Sequence, residues 1–372
     1  MFYVKRDIGF FMICLFIVVF TSCNTRKSLF TEVSSSQSNI NFINKPAKND
    51  YLNILYYIYY YNGGGVSVGD INNDGLPDIY FTATNKSGNK LYLNKGNFVF
   101  EDITDKANVA GSPDWCSGVT MTDVNGDGFL DIYVSAVANY SGLKGHNELF
   151  INNGNNTFTE SAGKFGLDLA GLSTQAAFFD YDHDGDLDCY ILRHSTRPHA
   201  NIVDTSRRLI RDSLSGDRLF RNDLNTNAKF TDVSSEAGIY QSSLGYGLGL
   251  AVADINNDGW EDIYVGNDFH ENDYYYVNKG NGTFTESGSK HFRHYSRFSM
   301  GNDIADYNND GQLDIITVDM LPPDEKTLKT YGSDENPDIY KQKLVINGYQ
   351  DQYSKNCLQR NNGNGNSFSE TA

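Results

Sequence analysis

Five stretches of the chain gather carboxylates at a spacing suited to a cation. They read DINNDGLPD from Asp70, DVNGDGFLD from Asp123, DYDHDGDLD from Asp180, DINNDGWED from Asp254 and DYNNDGQLD from Asp306. The shared pattern is Asp-x-Asn/Asp-x-Asp-Gly-x-x-Asp. So many like charges in one short loop repel one another unless positive charge sits among them. Side-chain oxygens at positions one, three, five and nine, with a main-chain carbonyl at seven, suit a hard cation with roughly 6–8 oxygen ligands, which is calcium. The expected ligands of the first loop are Asp70, Asn72, Asp74, the Leu76 carbonyl and Asp78. Those of the second are Asp123, Asn125, Asp127, Phe129 (carbonyl) and Asp131. The third offers Asp180, Asp182, Asp184, Asp186 and Asp188. The fourth offers Asp254, Asn256, Asp258, Trp260 (carbonyl) and Asp262, and the fifth Asp306, Asn308, Asp310, Gln312 (carbonyl) and Asp314.

The remaining positions have their own logic. Position six is glycine in all five loops (Gly75, Gly128, Gly185, Gly259, Gly311), where the chain must turn at positive φ. Position seven varies freely, as a main-chain ligand allows. Position two (Ile71, Val124, Tyr181, Ile255, Tyr307) and position ten (Ile79, Ile132, Cys189, Ile263, Ile315) are mostly apolar and are expected to pin each loop to a core. An EF-hand would need a glutamate at position twelve and flanking helices. Position twelve is Phe81, Val134, Ile191, Val265 or Thr317, and the segment after each loop reads as strand, so an EF-hand is rejected. The alternative without metal is a set of solvated Asp/Asn/Gly turns.

The elements that hold these loops repeat with them. A Gly/Ala/Val-rich strand leads into each loop and a second strand leaves it. A third ends in an Asn/Gly turn (KLYLNKGN, ELFINNGN, RLFRNDLN, YYYVNKGN, CLQRNNGN), and a fourth completes the unit (FVFEDIT, TFTESA, KFTDVSS, TFTESG, SFSETA). Four antiparallel strands at a fixed period predict an all-β fold, a β-propeller of which five blades are recognisable. Residues 51–372 form this domain, 1–23 a signal segment, and 24–50 a tether with a strand at Leu29–Phe42. That strand is expected to close a blade whose other strands are not in this chain, giving an open five-blade arc or a strained ring and a C-terminally shortened piece of a longer protein. Insertions fall at Arg193–Arg218 and Leu321–Asn356. The first carries Arg193, Arg197, Arg207, Arg208, Arg211 and Arg218 with His194 and His199. It is either an anion-binding feature or a helical excursion paired with nearby Asp. The run YLNILYYIYYYNGGG (Tyr51–Gly65) reads as a buried or half-buried strand, with a sugar-stacking platform as the alternative.

Lys and Arg number 30 against 47 Asp and Glu, a net charge of −17, which argues against a nucleic-acid partner. Much of that charge lies in the five loops, so it reads as unfilled metal sites rather than an acidic tail. At the N-terminus, Lys5 and Arg6 precede an apolar stretch, Ile8–Phe20, and then Phe20-Thr21-Ser22-Cys23. The stretch is shorter than the ~20 residues a bilayer-spanning helix needs and suits a secretory signal. Small residues before Cys23 match a bacterial lipobox, so Cys23 is the expected lipidation site and an exported, outer-membrane or surface-anchored protein is expected. An ordinary cleaved signal is the alternative. Cys14, Cys116, Cys189 and Cys357 are too scattered for a disulfide framework or a CxxC site.

The stretches YNGGGVSVGDINNDGLPDIYF, RFSMGNDIADYNNDGQLDIITVDMLPPDE and CLQRNNGNGNSF resemble FG-GAP/VCBS repeats, the calcium-loop propellers of integrin α-subunits and bacterial surface lipoproteins, and cartilage-acidic-protein-like chains. The resemblance covers residues 28–372. It implies calcium at loop positions one, three, five, seven and nine, and commonly seven blades. The literal Phe-Gly and Gly-Ala-Pro signatures are absent, so the integrin likeness is structural analogy. The function expected is a calcium-stabilised surface module for adhesion or for binding an extracellular glycan or protein. The rival is a propeller-based polysaccharide lyase or hydrolase. Its candidates are His194, His199, His270, His291 and His294 with Arg193, Arg197 and Arg297, and no GxSxG or HExxH motif accompanies them.

Overall fold

The computed structural model describes residues 28–46, 52–196, 204–322, 324–330, 337–363 and 367–372. Five antiparallel sheets of four strands succeed one another along the chain, each in simple sequential order. Blade 1 comprises β1 (Val66–Gly69), β2 (Asp78–Phe81), β3 (Lys90–Asn94) and β4 (Phe100–Asp102). Blade 2 comprises β5 (Cys116–Thr122), β6 (Asp131–Ala136), β7 (Glu148–Asn152) and β8 (Phe158–Glu160). Blade 3 comprises β9 (Ser173–Phe179), β10 (Asp188–Arg193), β11 (Arg218–Asp223) and β12 (Lys229–Asp232). Blade 4 comprises β13 (Gly247–Ala253), β14 (Asp262–Asn267), β15 (Tyr274–Asn278) and β16 (Phe284–Glu286). A short parallel pair, β17 (Tyr295–Ser296) and β20 (Gln352–Tyr353), brackets blade 5, which is β18 (Gly301–Ala305), β19 (Asp314–Val318), β21 (Cys357–Asn361) and β22 (Phe368–Glu370). Each acidic loop joins the first and second strands of its blade, so all five project from one end.

The first strands pack side by side around the axis: β1 on β5, β5 on β9, β9 on β13, β13 on β18. That crowding explains their Gly-rich sequences. A Cβ on Gly118 would lie 2.5 Å from the Thr174 carbonyl oxygen, and one on Gly249 would lie 2.9 Å from the Asn302 nitrogen. Hydroxyls stitch the same strands together: Ser117 Oγ donates to Ser173 O and Thr120 Oγ1 to Ala176 O, both at 2.7 Å. Outside this axis, four apolar clusters fill the four spaces between successive blades. Ile71, Tyr80 and Leu91 meet Ile132 and Val134 between blades 1 and 2. Tyr133 and Leu149 meet Ile191 and Phe220 between blades 2 and 3. Tyr190 and Leu219 meet Ile263 and Tyr276 between blades 3 and 4, and Tyr264 and Tyr275 meet Ile315 and Phe368 between blades 4 and 5.

The result is an arc of five blades. Among the described residues no comparable packing joins β18 back to β1. The two end faces show it: Val66 and Val68 are 58% and 59% exposed at one end, Ile316 and Val318 42% and 44% at the other. Position two of each loop agrees. Ile71, Val124, Tyr181 and Ile255 are buried by the next blade, whereas Tyr307, in the fifth loop, is exposed.

Two expectations need correction, and a third feature resolves in favour of one of its two readings. Leu29–Phe42 forms no strand; its only regular element is a helical turn at Ser35–Ser38. The segment instead lies on the outer face of blade 1. Phe42 stacks on Phe81 at 4.9 Å, and Asn44 Oδ1 accepts from both the N–H and the hydroxyl of Thr84 at 2.9 Å. With Ser, Asn and Gln interrupting its apolar positions, it has no continuous alternation to make a strand worthwhile. The Tyr-rich run is not a strand either. Ile58–Tyr61 is a 3₁₀ turn, and Tyr57, Tyr59 and Tyr60 are buried with Trp115, Leu172 and Tyr246, plugging the end opposite the acidic loops across blades 2, 3 and 4. Finally, the basic insertion folds back on its own protein. Arg193 is 1% exposed and donates to the carbonyls of Ala170 and Ser213 at 3.0 Å. Arg218 is buried on the carbonyls of Asp212, Gly216 and Asp217, and Arg211 pairs with Asp232. Arg208 bonds Glu271 and lies over the rings of Tyr240, Tyr274 and Tyr349. Arg197 and His199, like the signal segment with Cys23, lie outside the described residues. Among the described residues no helix is long and apolar enough to cross a membrane.

Because the apolar packing between blades lies in these interfaces, filling one matters more than decorating an end. Ile132→Ala, at a fully buried position between blades 1 and 2, is expected to cost ~2–5 kcal/mol, whereas Val68→Ser at the exposed end should cost less than about 0.5 kcal/mol. Denaturant unfolding of the two variants checks this.

Candidate functional site

The five acidic loops share one geometry. The Asp at position one wraps the chain around its own carboxylate. One oxygen accepts from the position-five N–H at 3.0–3.1 Å. The other accepts from the glycine N–H at position six at 2.7–3.0 Å. The Asp at position five in turn accepts from the position-seven N–H at 2.9–3.2 Å. Such a loop needs two left-handed residues. One is the glycine at position six, with φ between 82° and 96°. The other is position four: Asn73, Gly126, His183, Asn257 and Asn309, with φ between 57° and 71°. The ligand pattern gives position four no role. Its signal in the sequence is the restriction to Asn, Gly and His, types that tolerate this conformation.

Position nine is where the loop meets the core. Asp78, Asp131, Asp188, Asp262 and Asp314 are at most 2% exposed. One oxygen of each accepts from the main-chain N–H of the Asn at the end of the third strand (last but one in blade 3), at 2.7–2.9 Å: Asn94, Asn152, Asn222, Asn278 and Asn361. In the first three loops the other oxygen accepts from the position-two N–H at 3.0–3.1 Å, and in the fourth from the Tyr275 hydroxyl at 2.9 Å. That Asn also donates Nδ2 to the carbonyl of position eight in every blade, at 2.8–3.3 Å. In three blades it reaches the preceding blade as well. Asn152 donates to Ile71 O, Asn278 to Tyr181 O and Asn361 to Ile255 O, at 2.8, 2.9 and 3.0 Å. In the sequence these Asn read only as turn residues. Neighbouring loops also touch directly: Asn73 Nδ2 donates to Gly128 O at 3.0 Å, Asn257 Nδ2 to Gln312 Oε1 at 2.9 Å, and His183 stacks on Trp260 at 3.9 Å.

Burial pushes the carboxyls of Asp78, Asp131, Asp188 and Asp262 upward, and the other loop carboxylates add to the push. Asp131 and Asp262 are raised to about 7 and Asp188 to about 8. Asp78 is raised for the same reasons. In the third loop burial and the neighbouring Asp also lift Asp186, to about 6, and Asp182. Carboxylate oxygens of Asp180, Asp182 and Asp188 lie within 4.8 Å of one another. Asp182 Oδ1, Asp186 Oδ1 and Asp314 Oδ2 are buried with no hydrogen-bond donor among the described residues. These oxygen-only sets with orphaned buried acceptors are what a hard divalent cation would satisfy.

The candidates for acid–base chemistry do not converge. His194 is buried at the plug. Its Nε2 lies 2.9 Å from the Tyr57 hydroxyl, and its Nδ1 lies 3.0 Å from Thr174 Oγ1. Thr174 donates its proton to Gly247 O, so Nδ1 carries the ring hydrogen and Nε2 accepts from Tyr57. Burial, reinforced by Arg193, depresses His194 to about 3, so it is a neutral strut. His270 lies in the turn after β14, His291 packs on the Tyr275 ring at 5.2 Å, and Arg297 lies over Phe298. His294 lies 3.5 Å from Glu370 on the other side of blade 4.

Four-stranded sheets arrayed around an axis, each with an Asp-rich loop between its first two strands, define an all-β propeller of repeated blades. The family model of the FG-GAP-like repeat matches residues 70–134, 136–191 and 254–317. The chain is an FG-GAP repeat protein. It is similar to cartilage acidic protein 1 of Xenopus tropicalis, 29% identical over 212 residues, covering 55% of this chain and 29% of that protein. It is also similar to cartilage acidic protein 1 of Homo sapiens, 24% identical over 362 residues, covering 92% of this chain and 50% of that protein. The chain thus spans half or less of the length of these curated relatives. Among solved structures it is similar to an Agrocybe aegerita lectin that recognises non-reducing terminal N-acetylglucosamine, with TM-score 0.41, 18% identity and 82% and 64% of the two chains covered. A V. cholerae biofilm matrix protein gives TM-score 0.38 and 12% identity, covering 82% of this chain and 38% of that one.

The raised carboxyls fix the sign of a pH effect. In metal-free protein Asp131, Asp188 and Asp262 titrate higher when folded than the ordinary ~3.9. Their contribution to stability is full below that value and is lost as pH rises through about 7–8. A bound divalent cation would take the place of those protons. The calcium-induced gain in melting temperature should therefore grow between about pH 5.5 and pH 8. A gain that stays flat or shrinks over that range contradicts the assignment.

Proposed function

We propose that this protein is an exported, lipid-anchored surface module whose five acidic loops each bind Ca²⁺ and whose opposite end binds an extracellular glycan or protein. The observation that carries the calcium reading is the set of buried, unpartnered carboxylate oxygens in the third and fifth loops, whose geometry the other three repeat. In this reading calcium is structural. It neutralises each loop and so stiffens the hydrogen-bonded contacts between neighbouring loops.

The binding reading draws on the plugged end. A cleft of about 830 Å³ there is lined by Leu52, Tyr56, Lys86, Asp114 and Ser141, with Trp115 at its base. That size suits a small ligand or a side chain of a partner. Tyr56 in the wall of the cleft is 61% exposed, and Leu55 and Tyr61 of the same run are 88% and 73% exposed, although Tyr57, Tyr59 and Tyr60 are buried. Aromatic rings with one wet edge suit both sugar faces and protein partners. Export and anchoring are inferred from the signal segment and Cys23.

A glycan and protein array probed in millimolar Ca²⁺ and again in EGTA tests the reading. Binding is expected in calcium only, with Tyr56→Ala weakening it about tenfold, or ~1.4 kcal/mol. EGTA should also lower the melting temperature. Unchanged melting in EGTA with no bound metal overturns the calcium reading, and binding untouched by Tyr56→Ala overturns the cleft. Cys23→Ser should leave unprocessed precursor or release the protein from membranes. A soluble mature chain with a different N-terminus would refute the anchor.

A further inference from the structure

A second set of metal-ligand side chains, of different chemistry, lies where blade 4 hands over to blade 5, at the end away from the acidic loops. His294, Cys357 and Glu370 offer a ring nitrogen, Sγ and a carboxylate oxygen that all lie within 4.8 Å of one another. Three separate elements supply them. His294 sits in the connection just before β17, Cys357 opens β21 and Glu370 closes β22.

Their backbones are held in place independently of any ion. Gln359 Nε2 donates to the His294 carbonyl at 3.0 Å, and the adjacent Tyr295 N–H donates to Asp351 O at 3.0 Å. Cys357 pairs with Thr317 across β19, and Glu370 pairs with Gln359 across β21 and β22. The His294 ring packs edge-on to Tyr353 at 5.2 Å. His294 Nε2 is 3.5 Å from Glu370 Oε2. Two ligands about 2.0 Å from one tetrahedral ion stand roughly 3.3 Å apart, so little movement is needed. Among the described residues, Nε2, itself shielded from solvent, makes no hydrogen bond, and the Cys357 thiol has only a long contact, 3.8 Å, to Lys355 O.

We propose that His294, Cys357 and Glu370 form a Zn²⁺ site that fastens the connection between blades 4 and 5 to the third and fourth strands of blade 5. The mixture of nitrogen, sulfur and oxygen selects a borderline-soft ion over the calcium expected in the loops. With three protein ligands, water completes the tetrahedron. On binding, the Cys357 S–H bond breaks heterolytically, its proton goes to solvent, and the thiolate bonds the metal. One thiolate and one carboxylate then balance the divalent charge, with neutral imidazole as the third ligand. Lys355 Nζ stands 2.9 Å from the same Glu370 oxygen and bonds Ala372 O as well. In the metal-free protein it supplies the positive charge that zinc replaces at that oxygen.

Co²⁺ is the probe, added to calcium-saturated protein. Bound through a thiolate it gives an intense near-ultraviolet sulfur-to-cobalt charge-transfer band, which oxygen-only loops cannot produce. The parent protein is expected to show that band at about one equivalent, and Zn²⁺ should bleach it. Cys357→Ser should abolish the band. His294→Gln should weaken Co²⁺ binding at least about tenfold while the far-ultraviolet circular dichroism in EDTA stays that of the parent, which separates loss of a ligand from loss of the fold. The absence of a charge-transfer band in the parent at millimolar Co²⁺ overturns the proposal without reference to any variant. So does a band that survives Cys357→Ser. Neither result bears on calcium in the loops.

Discussion

A carboxylate removed from water is costly unless donors or a cation surround it, and this protein buries one in every blade. The Asp at position nine sits where the acidic loop, the second strand and the end of the third strand meet. Its donors come from the loop on one side and from the strand-ending Asn on the other. Each donor lowers the penalty, yet burial still wins, and Asp131, Asp188 and Asp262 remain far above the ordinary carboxylate range. The loop is thus built tightly around a charge that its own hydrogen bonds do not fully stabilise. A divalent ion held by positions one, three, five and nine would complete the balance.

The same Asn converts a local solution into an architectural one. Through Nδ2, Asn152, Asn278 and Asn361 each hold the loop of their own blade and the loop of the blade before. The apolar residue at position two accompanies this bond into the next interface, which is why Ile255 is buried and Tyr307 is not. Polar bracing at the loop end, apolar filling between the sheets and close glycine contacts at the axis therefore act on the same pair of neighbours. The Tyr-rich plug binds three blades together at the other end. Tyr57 is held by His194 of blade 3, and Tyr59 donates to Asp268, just beyond β14 of blade 4.

The legible part of the sequence is the part that repeats. Five copies of Asp-x-Asn/Asp-x-Asp-Gly-x-x-Asp place the loops, the glycine at position six sets their turn, and a Gly/Ala/Val-rich run before and an apolar run after each loop mark the strands on either side. The Asn brace is in plain view in LYLN, LFIN, LFRN, YYVN and LQRN, but its role depends on a partner in another strand and another blade, which spacing along the chain does not reveal. Features that occur once are harder. Arg193, Arg208 and Arg218 suit either an anion-binding cluster or a self-paired excursion in sequence, and the choice is made only by the carbonyls and the carboxylate that the return of the insertion brings near. Tyr57–Tyr60 have the composition of a strand, but a cap over the axis rewards burial of aromatic rings rather than sheet pairing. His294, Cys357 and Glu370 are far apart in the chain and meet only through the blade's own register.

The claim that most needs testing is that one Asn couples two blades through their acidic loops. Asn278→Ala removes two donated bonds at a cost of ~1–3 kcal/mol. Hydrogen–deuterium exchange in calcium, read by peptide mass spectrometry, can locate the loss. Faster exchange is predicted in both Asp254–Asp262, the loop of the same blade, and Asp180–Asp188, the loop of the blade before, with blade 1 unchanged. Acceleration confined to the end of β15, with the Asp180–Asp188 loop as protected as in the parent, would contradict the account.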